Sequence, residues 1–356
     1  METPTDYILS LENASLPLYT NQQLTISTNG KLINSNKEEL PRDTIIRGAT
    51  IDNNAYLTVG SLDDSEVGKG VFLRKIDFQG NIVFERQYPF TPIDQIFSIG
   101  VSPIVVTEDA YFIVGRYVDA DADFNPSFRF FAIKTDKEGN LINSNTFEVS
   151  DFITPTVYTI DSQDNIYASY QTTSRTGHIL KLDRDGNLAW DKPIIGDLVS
   201  NRILSVELSN DEEELIVGGF RDPQAFVLRV DVTSGEFDAM VTPSKLFTPE
   251  DFTTSERWIQ LIETKDGGVI VSYPYFSTLG LGSGIEYGKL DKAGNPLWSR
   301  RLQDKPYSNI RPILETADGG VLFQTINRED QLVLLKTDVT GSILPMLIIK
   351  SLASKN

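Results

Sequence analysis

Leu180-Lys181-Leu182-Asp183-Arg184-Asp185-Gly186-Asn187-Leu188-Ala189-Trp190 reads as an apolar strand, a tight Asp/Gly/Asn turn and a second strand ending in an aromatic ring. The phrase returns at Lys75-Ile76-Asp77-Phe78-Gln79-Gly80-Asn81 and at Lys134-Thr135-Asp136-Lys137-Glu138-Gly139-Asn140. Further copies are Leu228-Arg229-Val230-Asp231, Lys289-Leu290-Asp291-Lys292-Ala293-Gly294-Asn295 and Lys336-Thr337-Asp338-Val339-Thr340-Gly341, with a worn one at Ile26-Ser27-Thr28-Asn29-Gly30. A fixed internal period is read before anything else, because each repeat is then one supersecondary unit.

Turn glycines at Gly30, Gly80, Gly139, Gly186, Gly235, Gly294 and Gly341 recur roughly every 50 residues. Each interval holds a second, earlier hairpin signal, sharpest at Asp266-Gly267-Gly268 and Asp318-Gly319-Gly320. Looser versions stand at Asp52-Asn53-Asn54, Glu108-Asp109, Gln163-Asp164-Asn165 and Asn210-Asp211-Glu212. Asp-Gly between β-rich apolar runs marks a hairpin, since both residues tolerate positive φ. Each unit therefore reads as four short strands, A to D, with tight turns at A–B and C–D. Sustained helical periodicity is missing throughout.

Four antiparallel strands repeating at this period predict an all-β fold, a β-propeller of four-stranded blades. Seven turns predict seven blades in one domain, at about 1–40, 41–91, 92–150, 151–197, 198–246, 247–305 and 306–356. Six blades are the alternative, should the short first segment form none.

The Asp-x-x-Gly-x-x-x-Trp phrase at Asp183, Gly186, Trp190 and again at Asp291, Gly294, Trp298 resembles the blade motif of PQQ-like bacterial repeat propellers. The Asp-Gly-Gly turns at Asp266 and Asp318 are similar to those of secreted bacterial propellers. The resemblance implies a propeller in which Trp190 and Trp298 pack between neighbouring blades. It carries no cofactor set, and bound PQQ is not expected.

Composition narrows the function classes. The 356 residues include no cysteine and one histidine, His178, which excludes disulfides, thiolate chemistry and multi-histidine metal sites. A net charge of −18 repels phosphate backbones and anionic headgroups, setting nucleic acid and membrane surfaces aside as partners. No apolar run reaches the length of a membrane helix. Met1-Glu2-Thr3-Pro4-Thr5-Asp6 is polar and acidic, unlike a signal peptide. Acidity, Asn-rich turns and absent cysteine favour an extracytoplasmic protein (secreted, periplasmic or a surface lipoprotein) whose leader has been removed, and a monomer.

Three candidate sites emerge. The first is the B–C loops, read as 61–70, 117–127 and 272–284, because variable loops on a rigid scaffold concentrate binding. Tyr117, Phe124, Tyr273, Tyr275 and Phe276 are expected there as a ligand surface for a glycan, peptide or protein partner. The second is Asp119, Asp121 and Asp123, whose alternate spacing matches half of a calcium loop, although Phe124 stands where its glycine belongs. The third is the polar set of the innermost strand A, including Arg47, Tyr158, Glu207, Gln260, Glu263, Arg311 and Glu315, where Glu263 and Glu315 suggest paired carboxylates.

A base two residues before each turn Asp (Lys75, Lys134, Lys181, Arg229, Lys289, Lys336) is expected to lie beside that Asp as a partly exposed pair. His178 occupies a strand position that is otherwise apolar, with no partner evident. The function expected is non-catalytic binding or scaffolding without a covalent cofactor. The alternative is a polysaccharide hydrolase or lyase using carboxylates at the channel mouth.

Overall fold

The structure, a computed structural model, describes residues 6–13, 20–27, 32–39, 44–64, 68–90, 96–102, 104–120, 125–149, 152–172, 176–194, 201–221, 224–237, 252–254, 258–277, 283–303, 310–326, 332–344 and 347–348. Among them every regular element is a β-strand, and no helix is long and apolar enough to cross a membrane. The strands form consecutive antiparallel sheets. The first holds β1 (Asp6–Asn13), β2 (Thr20–Ser27) and β3 (Leu32–Glu39). The second holds β4 (Thr44–Asp52), β5 (Ala55–Asp64), β6 (Gly68–Asp77) and β7 (Ile82–Pro89). In the third, β8 (Ile96–Val101) and β9 (Val105–Val106) both pair with β10 (Ala110–Ala120), followed by β11 (Pro126–Asp136) and β12 (Leu141–Glu148). The fourth is β13 (Phe152–Ile160), β14 (Ile166–Thr172), β15 (Gly177–Leu182) and β16 (Leu188–Pro193).

The fifth comprises β17 (Asn201–Leu208), β18 (Glu214–Arg221) and β19 (Gln224–Asp231). In the sixth, β20 (Phe252–Thr254) and β21 (Gln260–Glu263) share β22 (Val269–Ser277), beside β23 (Ser283–Leu290) and β24 (Pro296–Gln303). The last is β25 (Arg311–Glu315), β26 (Val321–Ile326), β27 (Leu332–Lys336) and β28 (Leu347–Ile348). The chain divides into two compact units, residues 1–155 with 184–187, and residues 156–183 with 188–356.

The turn chemistry accounts for this regularity. In the β6–β7 hairpin, Gly80 N–H donates to Asp77 O at 3.0 Å, and Asp77 Oδ1 accepts from Gln79 N and Asn81 N at 2.9 and 2.8 Å. Asp136 with Asn140, and Asp291 with Asn295, repeat the plan. These hydrogen bonds, the Asn side chain first, hold the Asp77 and Asp291 carboxyls below the usual carboxylate range. The register slips by one residue next to the turn in each such hairpin, between Lys75 and Ile76 or Lys289 and Leu290, which is a β-bulge. In the A–B turns of the earlier sheets Asn53, Asp164 and Glu212 take the positive φ that glycine takes elsewhere.

Neighbouring sheets lock together through the outermost strand. In the first unit, a Cβ on Gly139 would meet the Phe84 ring at 2.7 Å, while Tyr88 Oη donates to Gly139 O at 2.7 Å. Asn143 Nδ2 reaches Asp185 O at 2.7 Å. In the second unit, Trp190 Nε1 donates to Val232 O at 3.3 Å, and Trp298 lies against Gly341. Each of these residues stands seven after its turn Asp. The expected packing role of Trp190 and Trp298 thus extends to Phe84 and Asn143.

The expected pairing of each base with its own turn Asp is corrected. Lys75 bonds Asp52 at 3.0 Å, and Lys289 and Lys336 bond Asp266 and Asp318 at 2.7 and 2.6 Å, all across to the A–B turn. Lys134 and Lys181 instead donate to Arg184 O and Val232 O, in the next C–D turn. A long flexible stem can reach past its i+2 neighbour to an acceptor on the adjoining turn. The turn Asp is already filled by backbone donors.

Candidate functional site

The three stretches expected as long loops are mostly strand. β5 continues to Asp64, β10 to Ala120 and β22 to Ser277. Consequently Tyr117, Tyr273 and Tyr275 are not loop aromatics. All three are buried, Tyr117 stacking on Phe90 with ring centroids 4.7 Å apart. Alternating β-branched and aromatic residues continue the ladder, and large rings then bury against the adjoining sheet. Phe124 and the side chain of Phe276 lie outside the described residues. So do Asp121 and Asp123, while Asp119 Oδ2 is ion-paired to Arg129 Nε at 2.9 Å. Among the described residues no group of three or more His, Asp or Glu is arranged to hold a metal ion.

The strand-A carboxylates are engaged structurally. Glu263 accepts from Arg229 at 3.2 Å and from Asn210 N–H at 2.5 Å. Glu315 accepts Lys265 N–H at 2.8 Å. Each carboxylate therefore caps the A–B turn of the preceding sheet, a structural use for Glu263 and Glu315 that the sequence did not suggest. Glu207, on β17, is different: it is half-buried, and desolvation pushes its carboxyl up to about 7.

Two polar clusters arise from one repeat position, five residues before the turn Asp. Phe131 and Phe226 occupy it over a cross-strand glycine, Gly115 and Gly219, whose added Cβ would lie 2.5 Å from the ring. In the fourth sheet the pair is His178 opposite Tyr170, and in the sixth Glu286 opposite Tyr273. The aromatic ring has moved to strand B, and strand C offers a polar group.

His178 Nδ1 lies 3.0 Å from Asp191 Oδ1 and 3.0 Å from Tyr170 Oη, and Tyr170 Oη donates to Asp191 Oδ2 at 2.5 Å. Burial, then the hydrogen bond to Asp191, raises the Tyr170 phenol above its ordinary range, keeping it a neutral donor. The imidazole stacks on the Tyr170 ring at 4.7 Å and its side chain is 16% exposed. A histidine whose Nδ1 is oriented by a carboxylate presents Nε2 as a base or hydrogen-bonding group.

The sixth sheet carries Glu286, fully buried, with Arg301 Nε at 3.0 Å and Tyr273 Oη at 3.3 Å. The Arg301 guanidinium lies 5.3 Å from the Tyr275 ring centroid. Its charges are matched within the cluster, so it rigidifies the sheet. Asp191, Tyr170, Glu286 and Arg301 escaped the sequence reading. Aligning the position five before each turn Asp exposes the substitution, although its partners lie on other strands.

No protein-family model and no curated protein sequence matches the chain, and the likeness to PQQ-like repeats rests on the turn phrase alone. Solved structures do match. A Mycobacterium tuberculosis puromycin-hydrolyzing peptidase aligns with a TM-score of 0.56 at 13% identity, over 98% of this chain and 54% of its own. The chain thus spans about half the length of that peptidase. A protein from Lactobacillus plantarum aligns at 0.55 and 12% identity, over 97% of this chain and 96% of its own. The Dos1 propeller aligns at 0.53 and 11% identity, over 97% and 81%. Such identities speak to fold alone, and the fold is an all-β propeller of antiparallel sheets built on a four-strand plan.

Proposed function

We propose that the protein is a non-catalytic binding or scaffold propeller working outside the cytoplasm, with a glycan, peptide or protein as partner. One observation carries this reading. Most of the described A–B and C–D turns are short and closed by a backbone N–H donating to the carbonyl three residues earlier, while the strands leading into the B–C arms differ between sheets: β10 has 11 residues, β14 has 7 and β26 has 6. Among the described residues the turn end of the sheets is the more uniform one, and the other end varies, as recognition surfaces do. An almost uniform scaffold with variable arms suits binding better than it suits any one chemistry.

The test is a glycan and peptide array probed with the full chain, followed by incubation of each hit with the protein. Selective retention without product supports binding. Release of cleaved product, lost in Glu207→Gln or His178→Ala, overturns it.

A second reading, a hydrolase or lyase acting on polysaccharide, is favoured by Glu207 and by the His178–Asp191 pair. A carboxyl poised near neutrality is suited to general acid work. Enzymes with this fold exist, the Rickettsia typhi post-proline cleaving enzyme among them, and this chain spans 53% of that one.

A further inference from the structure

A cleft of about 340 Å³ lies wholly within the first unit, between the outermost strands of the second and third sheets. Arg86, Tyr88 and Phe90 line one side, and Ile133, Leu141 and Ser144 the other. Tyr88, Phe90 and Ile133 are buried and make an apolar floor. β12 borders the cleft as the edge of its sheet.

Edge strands are normally guarded by Pro, Lys or other charges that discourage a further strand from pairing. β7 ends in Pro89, β16 carries Lys192 and Pro193, and β24 carries Pro296, Arg300 and Arg301. β12, Leu141-Ile142-Asn143-Ser144-Asn145-Thr146-Phe147-Glu148, has no Pro and no base, and its one charge, Glu148, stands at the far end of the strand from the cleft. Its side chains alternate between half-buried (Asn143, Asn145, Phe147) and exposed (Ser144, Thr146, Glu148). Ser144 and Thr146 leave room for another chain, and exposed Leu141 and Ile142 offer it apolar surface.

The backbone polarity follows from one hydrogen bond. Val149 N–H donates inward to Phe128 O at 3.0 Å. By the two-residue repeat of a strand, the N–H groups of Phe147, Asn145 and Asn143 also face β11, and those of Thr146 and Glu148 face outward. The outward Ser144 N–H is already met by Asn143 Oδ1 at 2.9 Å.

Charge decides what fits. Arg86 is exposed, lies 5.6 Å over the Phe84 ring and donates to Glu85 O at 3.0 Å. Its charge acts on the nearby Asp136 carboxyl, but among the described ion pairs it joins none, in a chain whose net charge is −18. It is the one charged side chain lining the cleft.

We infer that β12 and this cleft form a docking site for an extended peptide segment of a partner protein, added as an extra strand, with an apolar side chain in the cleft and a carboxylate on Arg86. The inference rests on the binding reading and names its partner class. Backbone bonds to an exposed edge supply affinity, and a pocket for alternate side chains supplies selectivity.

The probe is a fluorescein-labelled heptapeptide alternating threonine with valine, leucine and glutamate, its C-terminus amidated, titrated against the full chain by anisotropy. A glutamine version with a free C-terminus, and one with a C-terminal amide, distinguish a side-chain carboxylate from a terminal one. Saturable binding of a carboxylate-bearing peptide, weakened at least about tenfold by Arg86→Ala and by Thr146→Pro, is expected. Thr146→Pro removes an outward N–H without touching the β11 ladder. Thr146→Val removes only the hydroxyl that meets Tyr117 and should bind as the parent does. Ser144→Trp fills the cleft from its exposed side and reads the site should the proline variant fail to fold. No saturable change up to millimolar protein, or equal binding by all variants, overturns the inference. Array hits that survive these substitutions would leave the broader binding reading standing.

Discussion

At the scale of single residues, the turn glycines differ in what they oppose. Gly186 and Gly341 both have φ 78, a left-handed conformation that a side chain strains. A Cβ on Gly186 would find Ala132 Cβ at 3.4 Å, whereas one on Gly341 would strike Trp298 at 2.5 Å. Gly186→Ala should cost about 1–2 kcal/mol from the backbone. Gly341→Ala should cost roughly 1–3 kcal/mol more through overpacking. Urea denaturation of both variants measures the difference, and equal losses would mean the Trp298 ring yields freely. Glu207 gives a second test. Burial raises its folded carboxyl to about 7 from an ordinary value of 4.5, so between those pH values the native state holds more protons than the unfolded one. Stability therefore falls as pH rises through that window, and the loss is complete above it. Melting temperatures of the parent and Glu207→Gln at pH 5, 6, 7 and 8 should diverge upward in favour of the variant.

At the scale of elements, the sixth sheet holds the most demanding pair. Glu286 is fully buried and depends on Arg301. Arg301→Met leaves that carboxylate unmatched, and a loss of roughly 3–5 kcal/mol is expected. The double variant Glu286→Leu with Arg301→Met removes both charges and should recover most of it. A double-mutant cycle by chemical denaturation reads this, and additive losses would show that the charges do not depend on each other. The hairpin of β10 and β11 teaches a related lesson. Tyr117 was legible as a conspicuous aromatic beyond a short strand, but strand length is set by whether the next sheet covers the extra rungs. Here Phe90, just past β7 of the adjoining sheet, does so with its ring centroid 4.7 Å from Tyr117, and Phe131 of the same sheet packs alongside at 6.4 Å.

For the whole molecule, charge is the dominant global term. A net charge of −18 stores self-repulsion that the compact state must bear. The melting temperature should rise as NaCl is raised from about 10 to about 150 mM, since the screening length falls from roughly 30 to 8 Å. Exposed pairs such as Lys336–Asp318 are weakened by the same salt, but solvent already screens them and they do not reverse the sign. A melting temperature that falls with salt would mean that the ion pairs outweigh the repulsion.

The repeat phrase around Asp183 and Gly186 determined the all-β class, the antiparallel hairpins and the turn geometry. Those depend on contacts between residues a few positions apart, and each is written in the local residue types. The packing of Trp190 and Trp298 was legible for the same reason, through a fixed offset from the turn. What only the tertiary structure decided is which groups meet across strands: Asp191 and Tyr170 on His178, Arg301 on Glu286, and Glu263 on the preceding turn. Such partners lie 8 to 53 residues apart, at separations no local pattern encodes. It also decided that Tyr273 and Tyr275 are core, because burial depends on the neighbouring sheet that covers a ring.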